Sequence, residues 1–368
     1  MLSTCALHCA TVKYFRIDAF ERSWRQRAIP RLESKKMTTM KVEQEKVPMS
    51  AKILGSVLNF LDSIVYRKDM TVNRKLQSYL DLTTAASLKP REGVSSKDVV
   101  IDAPNKVWVR VFKLEDQDPQ TKLPLMIYYH GGGFVGLSAD TTAYDTMCRN
   151  TAKACNAAVV SVNYRRAPEH PYPAVYDDCY NLFSWLRSPE SSEHLPAGVD
   201  LSQCFLMGDS AGGNIVHFMG CGAAENEKAL SPIKIRGMVE LQPFFGGEEL
   251  TPSEINIKPP ILPLDRAHWA WRAFLPGENR DHPACNVTGP NAPDISHLHL
   301  PPILVIIGTV DILIDRQEAY VDKLKDMGMD VTVKKYGDCC HGFYAFWNDL
   351  TNKAMAEVFE FINSHKIQ

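Results

Sequence analysis

The sequence predicts a doubly wound α/β domain, a mainly parallel central sheet flanked by helices. Three observations carry that expectation. Near-continuous apolar runs of strand length recur along the chain, as in strands buried on both faces of a parallel sheet. Segments of helix length fall between them, so the order is strand, helix, strand over most of the length. No internal repeat or low-complexity linker divides the 368 residues, and α/β folds of this size form single units.

The elements follow in order. Residues 1–36 hold eight Lys/Arg and three Asp/Glu. They lack the serine richness and acid-poor character of a transit peptide, so residues 1–46 are expected as an extension ahead of a single domain over 47–368, with organelle targeting as the alternative. Ser50 to Tyr66 reads as an amphipathic helix whose apolar stripe is Ile53, Leu54, Val57, Leu58, Leu61, Ile64 and Val65. Lys106 to Leu114 alternates with period two, as a strand with one exposed face does. Leu123 to His130, Ala157 to Tyr164, Cys204 to Ser210, Ile235 to Phe245 and Pro301 to Gly308 are the apolar runs, and VTVKKY, Val331 to Tyr336, adds one more strand. Helical patterns cover Tyr144 to Ala154, Val175 to Leu186, Ala211 to Ala224, Arg316 to Lys325 and Lys353 to Ser364. Glu248 to Ala292 stands outside the alternation, is rich in proline and carries Trp269, Trp271 and Phe274. It is expected as core packing or, together with the N-terminal helix, as a cap over a site.

Composition excludes several function classes. A formal net charge of -2 gives no basic field to attract nucleic acid or anionic lipid. No apolar run reaches the roughly 18 residues of a membrane span. The ten cysteines lack the paired spacing of a zinc site and the density of a disulfide scaffold, which fits reduced thiols in a cytoplasmic setting. His297 and His299 have strand-like spacing but no third ligand, so no metal and no cofactor is expected.

The chemistry concentrates in four short stretches. GDSAG, Gly208 to Gly212, fits G-x-S-x-G between an apolar strand and a helix. In such a strand-to-helix turn the serine is thrust above the sheet, which makes Ser210 the candidate nucleophile of an α/β-hydrolase fold. HGGGF lies upstream, at His130 to Phe134. Bare backbone there lets N–H groups approach a developing negative charge, so Gly131 and Gly132, with Ala211 after the nucleophile, are the expected oxyanion donors. Gly133 supplies space and His130 is read as a structural turn residue. A serine hydroxyl needs a base, and in this fold the order is serine, acid, histidine. Asp311 follows the strand Ile303 to Ile307, and His341 lies in a loop before the final helix. Asp315 is expected as a helix N-cap.

At these residues the chain resembles a plant carboxylesterase of the hormone-sensitive-lipase family, in the branch that contains the gibberellin receptors. HGGGF, VSVNYRRAPEHPYPA, GDSAGGNI and QPFFGGEE carry the family match. AFLPGENRDHPACN and TVNRKLQSYLDL point to the receptor-like branch, and the match spans Val47 to the C-terminus. The resemblance implies an N-terminal lid over the pocket, within 47–90, and a second cap element within 248–292. It also implies that Tyr144, Asp265, Arg266 and Tyr344 lie near a ligand. The departures are specific. The resembled receptors have serine where this chain has Gly133 and Ala211, and an aliphatic residue where it has His341. Their Trp-containing lid stretch is matched by AKILGS, and their hormone-facing lid residues fall on Asp62 and Tyr66. A repressor partner of the receptor type is therefore not expected.

The sequence thus leads to a serine carboxylesterase acting on a small-molecule ester. A hormone-binding protein on the same scaffold, or a dehydratase or cyclase using the same proton-moving groups, are the alternatives, because fold and motif do not fix reaction class.

Overall fold

The computed structural model describes residues 60–367 apart from 116, 119 and 346–348. The expected extension over 1–46, and the expected lid and amphipathic helix as far as residue 59, lie outside the described residues.

Eight strands form one sheet: β1 Val94–Asp102, β2 Val107–Leu114, β3 Leu123–Tyr129, β4 Ala158–Asn163, β5 Val199–Asp209, β6 Ile235–Leu241, β7 Ile303–Val310 and β8 Val331–Cys340. Their order across the sheet is β1-β2-β4-β3-β5-β6-β7-β8. β4, β3, β5, β6, β7 and β8 run parallel, while β2 pairs antiparallel with both β1 and β4. β3 is buried along its whole length and β5 over its last seven residues, which is why their sequences read as continuous apolar runs.

Helices cover both faces. They include α1 Arg74–Leu80, α2 Thr142–Ala154, α3 Ala174–Leu186, α4 Ala211–Glu225, α5 Pro252–Asn256, α6 Leu264–Phe274, α7 Ile314–Asp326 and α8 Asp349–Ser364. The core lies in two layers, one on each side of the sheet. Ile127 and Leu206 point into one layer, and Met126, Phe205 and Val239 into the other. That split follows from the alternation of side chains along a strand.

One strand is unexpected and one strand expectation changes. β1 carries Ser95, Ser96, Lys97 and Asp98 in its first half, and no apolar run or clean alternation announces it. β2 has no freely exposed face over its centre, because the expected outward residue Arg110 is only 1% exposed. Its guanidinium pairs with Asp98 at 2.7 Å and Asp145 at 3.2 Å. A buried guanidinium persists only when paired and hydrogen-bonded. Arg149 completes the cluster through Asp145 at 2.7 Å, and so clamps α2 to β1 and β2.

The connectivity places the site. The chain leaves β3 for β4 on one side and returns to β5 on the other. A crevice opens at such a switch point, outside the carboxyl ends of the strands. The glycine-rich loop follows β3 and Ser210 follows β5.

Candidate active site

β5 ends at Asp209 and α4 begins at Ala211, so Ser210 alone makes the turn between them. It does so at φ 52° and ψ −117°, a region that non-glycine residues seldom occupy and that is held only where the surroundings dictate it. Here the surroundings are specific. Ser210 N donates to Leu241 O at 2.8 Å, and its carbonyl accepts from Phe244 N and Asn214 N. A side chain on Gly212 would collide with Tyr129 O, which explains the glycine after the elbow.

β7 and β8 bring the other two predicted residues to this serine. Ser210 Oγ lies 2.8 Å from His341 Nε2, and His341 Nδ1 lies 2.8 Å from Asp311 Oδ2. The three side chains are all nearly enclosed. A carboxylate only accepts, so the imidazole proton sits on Nδ1 and Nε2 is free to accept from the serine hydroxyl. Residues 131 apart in sequence are thereby joined in one hydrogen-bonded series.

Two glutamines that the sequence reading did not single out support Asp311. Gln242 Nε2 donates to Asp311 Oδ2 at 2.9 Å and to Cys340 O at 3.2 Å, while its Oε1 accepts from Gly342 N at 2.8 Å. Gln317 Nε2 reaches Asp311 Oδ2 at 3.3 Å. Gln242 is fully buried in the left-handed region, at φ 44°. Its only trace in sequence is a polar residue at the end of an apolar strand.

The glycine loop packs beside the elbow. His130 is buried and stacks on Tyr164 at 4.1 Å between ring centroids, and burial lowers its imidazole to about 3. It is therefore a neutral structural residue. Gly132 and Gly133 have φ of 95° and 62°. Gly131 N donates to the Tyr144 hydroxyl at 3.1 Å. Among the described residues Gly132 N makes no backbone hydrogen bond. Ala211 N, the first of α4, has no partner within its helix.

The four residues carried over from the resemblance fall into two groups. The hydroxyls of Tyr144 and Tyr344 are buried against Asp209 Oδ2, at 3.0 and 3.1 Å. Asp265 and Arg266 lie in the first turn of α6. Asp265 is exposed and accepts from Arg266 N at 3.0 Å. The Arg266 guanidinium instead meets the segment before α1, lying 3.3 Å over the Tyr66 ring and 3.4 Å from Asp62. Trp269 Nε1 donates to Arg67 O at 2.8 Å, so residues 62–67 dock on α6. Within the helical segment 60–65 only Val65 is buried, and Ile64 of the expected stripe is 42% exposed.

The cap aromatics are core. Phe274 stacks on Phe134 of the glycine loop at 4.0 Å, and Trp271 stacks on Phe244 at 4.5 Å. Asp315 is not an N-cap, since Leu313 takes that position. Its carboxylate accepts from Ser253 N at 2.7 Å, at the start of α5, where a negative charge meets the positive end of a helix. The described cysteines are free thiols, and burial raises Cys339 to about 12 and Cys340 to about 11. Among the described residues there is no cluster able to hold a metal ion, and no helix is long and apolar enough to cross a membrane.

Comparison with known proteins adds four findings. A family model described as the alpha/beta hydrolase fold matches residues 126–345. The chain is 36% identical over 344 residues to a gibberellin receptor of Oryza sativa subsp. japonica, covering 87% of this chain and 95% of the receptor. It is 33% identical over 295 residues to carboxylesterase 20 of Arabidopsis thaliana, covering 76% of this chain and 88% of that protein. Among solved structures, a hyperthermophilic esterase from the archaeon Pyrobaculum calidifontis is similar with a TM-score of 0.67 at 27% identity, covering 85% of this chain and 97% of that one.

Proposed function

The chain belongs to the α/β-hydrolase family, and from that premise we propose that it is a serine carboxylesterase hydrolysing small carboxylic esters through an acyl-enzyme. The observation that carries the reading is the series Ser210, His341, Asp311, each link 2.8 Å long, at the carboxyl ends of the parallel strands β5, β7 and β8. Esterase relatives support the activity at the level of the family.

The chemistry follows from the geometry. Ser210 Oγ attacks the ester carbonyl carbon while His341 Nε2 takes its proton, and Asp311 stabilises the imidazolium that results. The carbonyl oxygen becomes an oxyanion. Gly132 and Ala211 are its proposed donors, because the Gly131 N–H already lies on Tyr144. Collapse breaks the bond to the alcohol, which leaves with the proton from Nε2. A water then repeats the sequence and releases the acid. Loss of one oxyanion donor costs about 10²- to 10³-fold in kcat.

One finding favours a second reading, a receptor-like protein binding a small hormone: the likeness to the rice receptor over most of both chains. The engaged His341 speaks for turnover instead. Hydrolysis of p-nitrophenyl esters from acetate to octanoate, by the wild-type protein and Ser210→Ala, separates the two. Activity lost in the variant supports the esterase. Saturable small-acid binding that survives the substitution, with no hydrolysis by wild type, supports the receptor-like reading.

A further inference from the structure

Asp209 precedes the nucleophile and is 3% exposed, yet its carboxylate faces three phenols rather than a cation. Tyr128 Oη donates to Oδ1 at 2.8 Å. Tyr144 and Tyr344 donate to Oδ2. Each phenol comes from a different part of the site: Tyr128 from β3 beneath the glycine loop, Tyr144 from α2, and Tyr344 from the 3₁₀ turn Phe343–Ala345 that follows His341.

With Asp209 ionised, hydrogen-bond direction is fixed throughout. An ionised carboxylate has no proton to give, so each phenol must direct its single proton at Asp209. Its oxygen remains available only as an acceptor. Tyr144 uses that oxygen for Gly131 N, which makes a continuous relay from the glycine loop to the elbow. The fit is tight, since a Cβ on residue 131 would collide with Asp209 Oδ2. Burial raises the Asp209 carboxyl above its ordinary range, and the three hydroxyls oppose that rise without cancelling it.

We infer that Asp209 is a positioning residue that registers the three loops of the site. Through Tyr144 it holds the Gly131 peptide so that Gly132 N–H, not Gly131 N–H, joins Ala211 N–H at the oxyanion. Through Tyr344 it holds the turn after His341. The inference rests on the esterase reading for its kinetic consequence.

Its test compares wild type with Asp209→Asn, Tyr144→Phe and Tyr344→Phe. Tyr129→Phe serves as a control, because the Tyr129 hydroxyl is buried without a partner among the described residues. Tyr144→Phe keeps the ring that packs on Tyr128 and His130, so it removes the relay and little else. Misplacing a reacting geometry by about 1 Å costs about 100-fold. Asp209→Asn and Tyr144→Phe are expected to lower kcat by about 10- to 100-fold with KM nearly unchanged, and to slow phosphonylation of Ser210 by a p-nitrophenyl phosphonate in parallel. The control keeps wild-type kcat. An unchanged or raised kcat in Tyr144→Phe, as when a freed Gly131 N–H adds a donor, overturns the inference. If wild type hydrolyses no ester, the esterase reading fails separately. A crystal structure of Tyr144→Phe then decides, with a reoriented Gly131–Gly132 peptide expected and an unmoved loop overturning the inference.

Discussion

Gln242 makes three side-chain hydrogen bonds around His341, bonding Cys340 O before it, Gly342 N after it, and Asp311 beside it. Removing it leaves part-buried groups on both sides of the histidine without their partner, at up to about 1–3 kcal/mol for each unsatisfied group. Gln242→Leu is therefore expected to lower the urea midpoint and reduce kcat at least tenfold, about 1.4 kcal/mol or more in barrier. Gln242→Glu, which puts a carboxylate against Asp311, should be worse; paired kinetics and urea titrations check both. At this scale the sequence was legible where chemistry has a motif. Ser210, Asp311 and His341 follow from the elbow and the chain order of the fold, and the structure brings all three together. Gln242 and Asp209 carry no such mark. One is a polar residue closing an apolar strand and the other occupies a free position of G-x-S-x-G, so only their three-dimensional partners reveal what they hold.

Among elements, α2 shows how distant packing serves the site. It presents Tyr144 to Asp209 and, one residue on, Asp145 to a buried pair of arginines. Arg110, Asp145 and Arg149 are each at most 6% exposed, and removing one partner of a buried pair leaves an uncompensated charge. Asp145→Ala should destabilise the fold by about 3–5 kcal/mol, measured by urea unfolding; a loss under about 1 kcal/mol would mean that the cluster is solvated like a surface pair. The same cluster explains what the sequence hid. β2 alternates because its polar residue Arg110 faces Asp98 and Asp145 rather than water, and β1 carries no apolar pattern because its polar residues Ser96 and Asp98 join the same cluster. The buried parallel strands had no such masking, so their apolar runs were legible to within a few residues.

At the scale of the whole molecule the parallel sheet gathers the site, since β3, β5, β6, β7 and β8 deliver the glycine loop, Ser210, Gln242, Asp311 and His341 at the same edge. The sheet also carries a titratable group in its core. Burial raises Glu240 from an ordinary 4.5 to about 8, against the hydrogen bond from Tyr320. The folded chain therefore keeps a proton that the unfolded chain releases, and the associated stability is full below pH 4.5 and is lost as pH rises towards 8. Glu240→Gln keeps an acceptor for Tyr320 but has nothing to titrate. Its stability relative to wild type should grow steadily between about pH 5 and 8 in urea titrations, and a constant difference would contradict the assignment. Neighbouring His217, lowered by burial to about 3, acts in the opposite sense, but in both proteins alike. The central claim, that Ser210 is acylated, has a direct measurement: rapid quenching after mixing with p-nitrophenyl acetate, followed by intact-mass and peptide analysis. One acetyl group on the peptide carrying Ser210, absent in Ser210→Ala, is the predicted result; no adduct, or an adduct on another residue, would contradict the account.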